Sequence, residues 1–403
     1  MPASISGESY PMTGTDEERS NFLSAGLSFM ASYDDSVFAG FGKPVAEESY
    51  SILPTIALDQ TTPRHHGSLS YGAGFIFYQP TSALNSIQQA ASARFQYRAS
   101  VRTTFTVSDS FQQSSNPFNQ ASPLNGEPIN GTPETPASIV IAPYAKQYSN
   151  SGNVGFSYQY GKNGMIGASG STSLLDFPDP AQVPDLNNFV SGGGSGFFSR
   201  RLTGAQYLGG SYNYSEDITY PIDSTTKTQT ISLFYSIHLS HTLSASASGG
   251  PQHYDSASSG VTTSSAWTPA VTTSLGWQRK HSSFAGRYSR TVTGGGGLLG
   301  TFRSNSGALE ATWQFARAWS THASGSYFTT KNATPIQYSS NPGGHTLVGM
   351  ITLEHPIGEY LRTELGYARL NESYNGISSV SSAPNSDRVF FSISYQFVRP
   401  LGR

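Results

Sequence analysis

Cysteine is absent from all 403 residues. That excludes disulfides, thiolate metal centres and thiol catalysis, and it fits a route through the periplasm. Charge is scarce as well: Asp, Glu, Lys and Arg make up 12% of the chain, about half the share of an ordinary soluble domain. The net charge of -2 offers no basic face, so nucleic acid is excluded as a partner. No run of 18 apolar residues occurs, so no transmembrane helix is expected. Met1 to Phe22 has neither the charged start nor the apolar stretch of a secretory signal. Export would therefore need a signal segment that this chain does not carry.

What is abundant is Gly (42), Tyr (23) and Phe (23), too much aromatic content for a disordered chain. The length suits two or three ordinary domains or one fold built by repetition, and the pattern favours repetition. From Arg388 to Phe397, Val389, Phe391, Ile393, Tyr395 and Phe397 fall on one face, and Phe390, Ser392, Ser394 and Gln396 on the other. A period of two belongs to a pleated strand. Its apolar face suits lipid, and the small polar face suits a wet lumen.

The same rhythm recurs along the chain. Leu23, Ala25, Leu27, Phe29, Ala31 and Tyr33 alternate with Ser24, Gly26, Ser28, Met30 and Ser32. Tyr50 to Leu58 follows, where Pro54 is expected to force a bulge or kink, because proline cannot donate to a ladder. Further faces run through Leu69 to Phe77, Ala91 to Tyr97 and Thr103 to Val107, with a tight turn near Ala99 and Ser100. Gln112 to Tyr148, rich in Pro and Asn, is too long for a turn and is expected to be a large surface loop. Strand pairs continue around Lys162-Asn163-Gly164, a favoured hairpin signal, past a second long loop at Asp176 to Gly194, and then around Ser240, Arg279-Lys280-His281, Arg317 and Pro356-Ile357-Gly358.

The count is about 18 strands, with 16 as the other value, each near the length a tilted strand needs to cross a bilayer. Short and long links alternate, and almost no strand offers a bulky apolar set to a second sheet, which argues against a sandwich. The fold class expected is therefore all-β: a transmembrane antiparallel up-and-down β-barrel with short periplasmic turns and long extracellular loops. Residues 1–21 would be a periplasmic N-terminal segment, 22–397 the barrel and 398–403 a periplasmic tail.

The ending Tyr395-Gln396-Phe397 resembles the C-terminal signal by which barrel-assembly machinery recognises and inserts outer-membrane barrels. It departs from that signal in having Phe390 where a polar residue is usual and six residues after Phe397. With the tail Val398-Arg399-Pro400-Leu401-Gly402-Arg403, the chain resembles porin-like outer-membrane β-barrel proteins of Gram-negative bacteria, a group with no assigned substrate. The resemblance implies architecture, outer-membrane location and contact with outer-membrane lipid, and it leaves homo-oligomer formation open. It implies no reaction.

Candidate site residues divide by face. Arg94, Arg98 and Arg102 are expected on the lumen side of adjacent strands, as a basic ladder favouring anions. Alternatively they pair with the lumen acids Glu310, Glu354 and Glu364 or hold an inward-folded loop. Arg287 and Arg362 join the lumen set. Tyr33, Trp277, Trp313, Trp319 and Tyr360 stand near strand ends and fit aromatic girdles, with core packing as the other reading. Gly294 to Gly297 with Leu298-Leu299-Gly300 lacks the Lys-Ser or Lys-Thr of a phosphate loop and reads as a flexible outer loop, as does Gly192 to Gly194. His65 and His66, read as part of a short turn, point to opposite sides, which makes a poor chelate. His253 with Asp255, and His345, lie near outer ends without a third partner, so neither an enzyme nor a metal or other cofactor is expected. The function expected is passive diffusion of small hydrophilic solutes, narrowed by the Gln112 to Tyr148 loop. The alternative is a plugged barrel serving as a surface structural or adhesion protein through its outer loops.

Overall fold

A chain that alternates apolar with small polar side chains can satisfy lipid and water together only if it is extended and every backbone group is paired. The computed structural model describes residues 21–37, 45–120, 141, 145–183, 185–258, 261–333, 343–375 and 385–400. These residues form eighteen strands. They are β1 (Asn21–Val37), β2 (Val45–Thr61), β3 (His65–Gln79), β4 (Ser86–Ser100), β5 (Thr103–Ser114) and β6 (Gln147–Tyr160). Next come β7 (Gly164–Asp176), β8 (Asn188–Thr203), β9 (Gln206–Tyr220), β10 (Ser224–His238), β11 (Leu243–Ser258) and β12 (Val261–Arg279). The last six are β13 (Ser282–Gly294), β14 (Thr301–Ala316), β15 (Trp319–Asn332), β16 (Gly344–Ile357), β17 (Leu361–Tyr374) and β18 (Asn385–Pro400). A single helical turn, α1 (Pro117–Gln120), lies between β5 and β6.

Each strand pairs antiparallel with its sequence neighbours, and β1 pairs with both β2 and β18, so the sheet closes into a barrel of 18 strands. At one end the links 62–64, 101–102, 161–163, 204–205, 239–242, 280–281, 317–318 and 358–360 are two to four residues long. The first strand begins and the last strand finishes at that same end. The other end carries 115–146, 177–187, 333–343 and 375–384, although 221–223 and 259–260 there are short. This asymmetry matches brief periplasmic turns and longer outer links.

The faces sort as the period of two requires. On β10, Leu233 is 71% exposed and Ile231 and Tyr235 are also exposed, whereas Ser232, Phe234 and Ser236 are buried on the lumen side. On β12, Trp267 and Trp277 share the outward face ten residues apart. A tilted strand rises about 25 Å over that stretch, the height of an apolar membrane band. Trp267 is 66% exposed and was not among the girdle residues expected from sequence.

Several local expectations are corrected. Pro54 causes no bulge: the β2 register is unshifted on both sides, and only the pairing of Leu53 and Pro54 with β3 is interrupted. Gly192 to Gly194 is no loop but part of β8, in register with β7 and β9. β1 begins at Asn21 and β18 continues to Pro400, so the strands extend into both flanking segments; residues 1–20 and 401–403 lie outside the described residues. The turn after β4 falls at 101–102, later than Ala99 and Ser100, because β4 carries a register shift between Arg98 and Ser100.

Phe390, the residue out of pattern in the last strand, has a physical reason. Its cross-strand partner on β17 is Gly366, and a Cβ built there would stand 2.1 Å from the Phe390 ring. The ring occupies the space that the missing side chain leaves. Phe197 over Gly167 and Phe234 over Gly209 repeat the device. Gly366→Ala is expected to destabilise the barrel by about 1–3 kcal/mol through overpacking, read as a lower urea midpoint for the folded gel band. Adding Phe390→Ser should recover most of the loss.

Candidate functional site

Small hydroxyl side chains on the inner face can hydrogen-bond across the ladder and still present oxygen to water. Directly paired serines do so around the lumen: Ser70 with Ser92, Ser110 with Ser151, Ser169 with Ser195, Ser246 with Ser274 and Ser289 with Ser306, at 2.5–2.7 Å. The wall is polar and short-sided, as a water-bearing lumen needs.

Charge is distributed unevenly over this wall. Arg94 and Arg98 lie on the inner face of β4, opposite Ser108 and Thr104 of β5. Arg102 stands beyond them in the 101–102 turn, exposed at the periplasmic rim rather than on a strand. Glu354 and Glu364 are direct partners on β16 and β17. Glu354 pairs with Arg362 at 3.5 Å, and Glu364 accepts from Ser392 at 3.4 Å. Glu310 on β14 lies 3.9 Å from His322 on β15, and Arg287 on β13 is its diagonal neighbour. The acids thus gather on β14, β16 and β17 with Arg362 and His322 as partners, whereas Arg94 and Arg98 sit on β4, five strands beyond β17 around the wall.

The outer mouth is filled from within. β13 leaves β12 above the Val271–Arg290 pair and turns inward, where the Val292 amide donates to Gln252 Oε1 at 2.8 Å and the Gly294 amide to Asp217 Oδ2 at 2.7 Å. Thr301, at the foot of β14, hydrogen-bonds Thr226 and Ser256 on the inner faces of β10 and β11. Gly295 to Gly297 adopt positive φ, a left-handed conformation that lets the link reverse so tightly. The glycine-rich segment expected to be a flexible outer loop is therefore a buried plug element. Its Leu298 and Phe302 join Leu175, Phe177, Val183, Leu186 and Phe189 of the β7–β8 region and Ala145, with Phe328 of β15 and Tyr374 of β17 on the far side. Because β7 and β17 stand nearly opposite in the ring, this apolar cluster bridges the lumen. Asn187 ties the two links by donating its amide to Gly297 O at 2.8 Å.

Most of the 115–146 link, and with it the narrowing expected of the Gln112 to Tyr148 segment, lies outside the described residues. Ile141 packs on Leu370, and its amide donates to the buried Glu372 at 3.0 Å. Phe118 lies under the guanidinium of Arg388, 4.3 Å from its ring centre. Arg388 is the cross-strand partner of Asp34 at the β1–β18 closure, and the two form a forked pair at 2.5 and 2.8 Å with side chains 5% and 0% exposed. Sequence reading missed this pair, although Asp34 and Arg388 both follow an inward-facing register in their strands.

Outward aromatics stand at both strand ends. Trp313, Trp319 and Tyr360 are exposed at the short-turn end, where the Arg279 guanidinium lies 5.4 Å from the Trp277 ring, and Tyr33 is exposed at the outer end. His65 and His66 open β3 rather than lying in a turn: His66 faces Asp59 at 3.6 Å and His65 stacks on Phe95. His253 gains the third partner that the sequence lacked, with Ser265 Oγ at 3.0 Å from its Nε2 and Asp255 at 3.5 Å from Nδ1. The Asp255 distance is too long for an orienting hydrogen bond, and the imidazole lies against the Trp267 ring at 4.8 Å, the environment of an interfacial residue. Among the described residues no cluster of ligating side chains could hold a metal ion.

No protein-family model and no curated protein sequence matches the chain. Among solved structures it is similar to OpdQ of Pseudomonas aeruginosa, with 13% identity, 94% of this chain and 99% of that one covered, and a TM-score of 0.43. OccK2 (OpdF) of the same organism gives 12%, 94%, 98% and 0.45. The FrpB iron transporter of Neisseria meningitidis gives 10%, 96%, 83% and 0.45. The assignment as a closed membrane-type barrel rests on the strand registers and outward apolar face described above.

Proposed function

We propose that the chain is a porin-like outer-membrane channel through which small hydrophilic solutes diffuse passively, narrowed at its outer mouth by its own inward-folded links. The closed ring of eighteen strands with a hydroxyl-lined interior carries this reading, since barrels of that size leave an aqueous passage. Glu354 is already paired with Arg362, and Arg94 and Arg98 sit on β4, away from the acids of β14, β16 and β17. The reading therefore includes an anion preference set by Arg94 and Arg98. β18, which carries Tyr395-Gln396-Phe397 close to its end at Pro400, is the segment offered to barrel-assembly machinery.

Swelling of liposomes in sugars of increasing size tests passage directly; folded protein that gives no swelling sinks it. For charge, Arg94→Gln with Arg98→Gln is expected to lower the anion-to-cation permeability ratio in reversal-potential measurements. An unchanged ratio counts against the ladder. The apolar bridge across the mouth favours a second reading, a plugged barrel acting as a surface structural or adhesion protein through its outer links, and folded protein without conductance is its signature.

A further inference from the structure

We propose that β13, β14 and β15 carry, on their outward faces, a binding site for the phosphate groups of outer-leaflet lipid, formed by Arg290, Arg303 and Lys331. This rests on the outer-membrane reading above. The register places the three together. Arg303 is the direct partner of Lys331 on β15 and of Val292 on β13, and Arg290 is two residues from Val292, a diagonal neighbour of Arg303. At Arg290 and Lys331 their side is the lipid side, because Val271, the partner of Arg290, and Tyr288, Leu309 and Tyr327, at even steps along the same strands, are exposed. Arg303 stands between them at the edge where the same face, at Val292 and Thr301, passes under the inner wall of β10 and β11.

Height follows from counting. Arg303 stands ten residues from Trp313 on β14, the same interval that separates Trp267 from Trp277, so the cations lie about 25 Å above the inner girdle, at the outer headgroup level. The departure of β13 opens a notch beside them, since among the described residues β12 has no partner on that side above Val271. The Nε atoms of Arg290 and Arg303 are buried without a hydrogen-bond partner. Among the described residues no ion pair engages any of the three, and the neighbouring links 295–300 and 333–343 contain no acid.

The ligand class follows from these surroundings. Two guanidinia offer forked donors suited to phosphate, and Lys331 adds a point charge. Below them the wall is apolar, with Tyr288 exposed, so the favoured occupant is an amphiphile whose anionic head meets the arginines while its chains lie along the belt. A phosphorylated glycolipid has that form.

The test titrates the full-length folded barrel in detergent with lipid A, with its dephosphorylated counterpart and with inorganic phosphate. Lipid A should bind at least about tenfold more tightly than the dephosphorylated lipid, and Arg290→Gln, Arg303→Gln and Lys331→Gln combined should erase that difference. Arg290→Lys with Arg303→Lys should retain most of it. Equal binding of the two lipids to the native protein overturns the proposal, whether or not the triple variant folds. So does complete displacement of lipid A by millimolar inorganic phosphate, which would mark a soluble-anion site. Swelling measured on the same preparations separates the two claims: lipid binding without swelling sinks the channel alone, and swelling without lipid preference sinks this site alone.

Discussion

Excising Val292–Arg303 and joining Thr291 to Ser304 through Asn-Gly is expected to raise single-channel conductance several-fold and to admit sugars that the native barrel excludes. Thr291 and Ser304 are direct partners in the β13–β14 ladder, so a two-residue turn closes the shortened hairpin without strain. The excision removes Leu298 and Phe302, the side chains through which the β7–β8 region reaches toward β15 and β17. It also frees Asp217 and Gln252, whose acceptors hold the Gly294 and Val292 amides. The wall below Arg290 keeps its full ladder with β12, so the barrel should still fold and show heat-dependent gel mobility. Folded protein with native conductance would mean that the apolar bridge does not limit passage.

Arg388→Leu is expected to cost about 3–5 kcal/mol of stability, because it strands the carboxylate of Asp34 without its partner in a site shut off from water. The location magnifies the consequence. Asp34 and Arg388 face each other across the seam where the first and last strands meet, and Arg388 also supports Phe118 from the 115–146 link. A large fall in the urea midpoint of the folded band checks the prediction. Replacing both residues, Asp34→Leu with Arg388→Leu, should restore most of the loss, since an apolar pair leaves no charge to desolvate. If the single and double variants are equally unstable, the deficit comes from packing under Phe118 rather than from the stranded charge.

The architecture was legible because a closed barrel writes its two solvents into every strand. Leu27 and Phe29 against Ser28, or Ile231 and Leu233 against Ser232, declare a face without reference to any other part of the chain. Legibility fails where the outcome depends on distant partners. The outer halves of β11 and β12 contain Ser, Thr, Gly and prolines that oppose each other as Pro251 and Pro269, so no alternation announces them. The inward fold of Gly294 to Gly300 is fixed by Asp217 on β9, Gln252 on β11 and Leu175 on β7, none of them near in sequence. Phe390 looks misplaced until Gly366 is seen beneath it. Arg102 lies in a turn rather than on a strand, and which acid meets which base depends on register between strands.

The absence of native cysteine makes one measurement especially direct. Single substitutions along β10, Thr230→Cys through Tyr235→Cys, can each carry a fluorophore in the folded barrel in lipid vesicles. Lipid-soluble quencher should act on labels at 231, 233 and 235, and aqueous quencher on those labels at 230, 232 and 234 that remain reachable from the lumen. Quenching by lipid-phase reagent that fails to alternate, or labels at 231, 233 and 235 that are shielded from both phases, would contradict a membrane-spanning barrel with its apolar face turned to hydrocarbon.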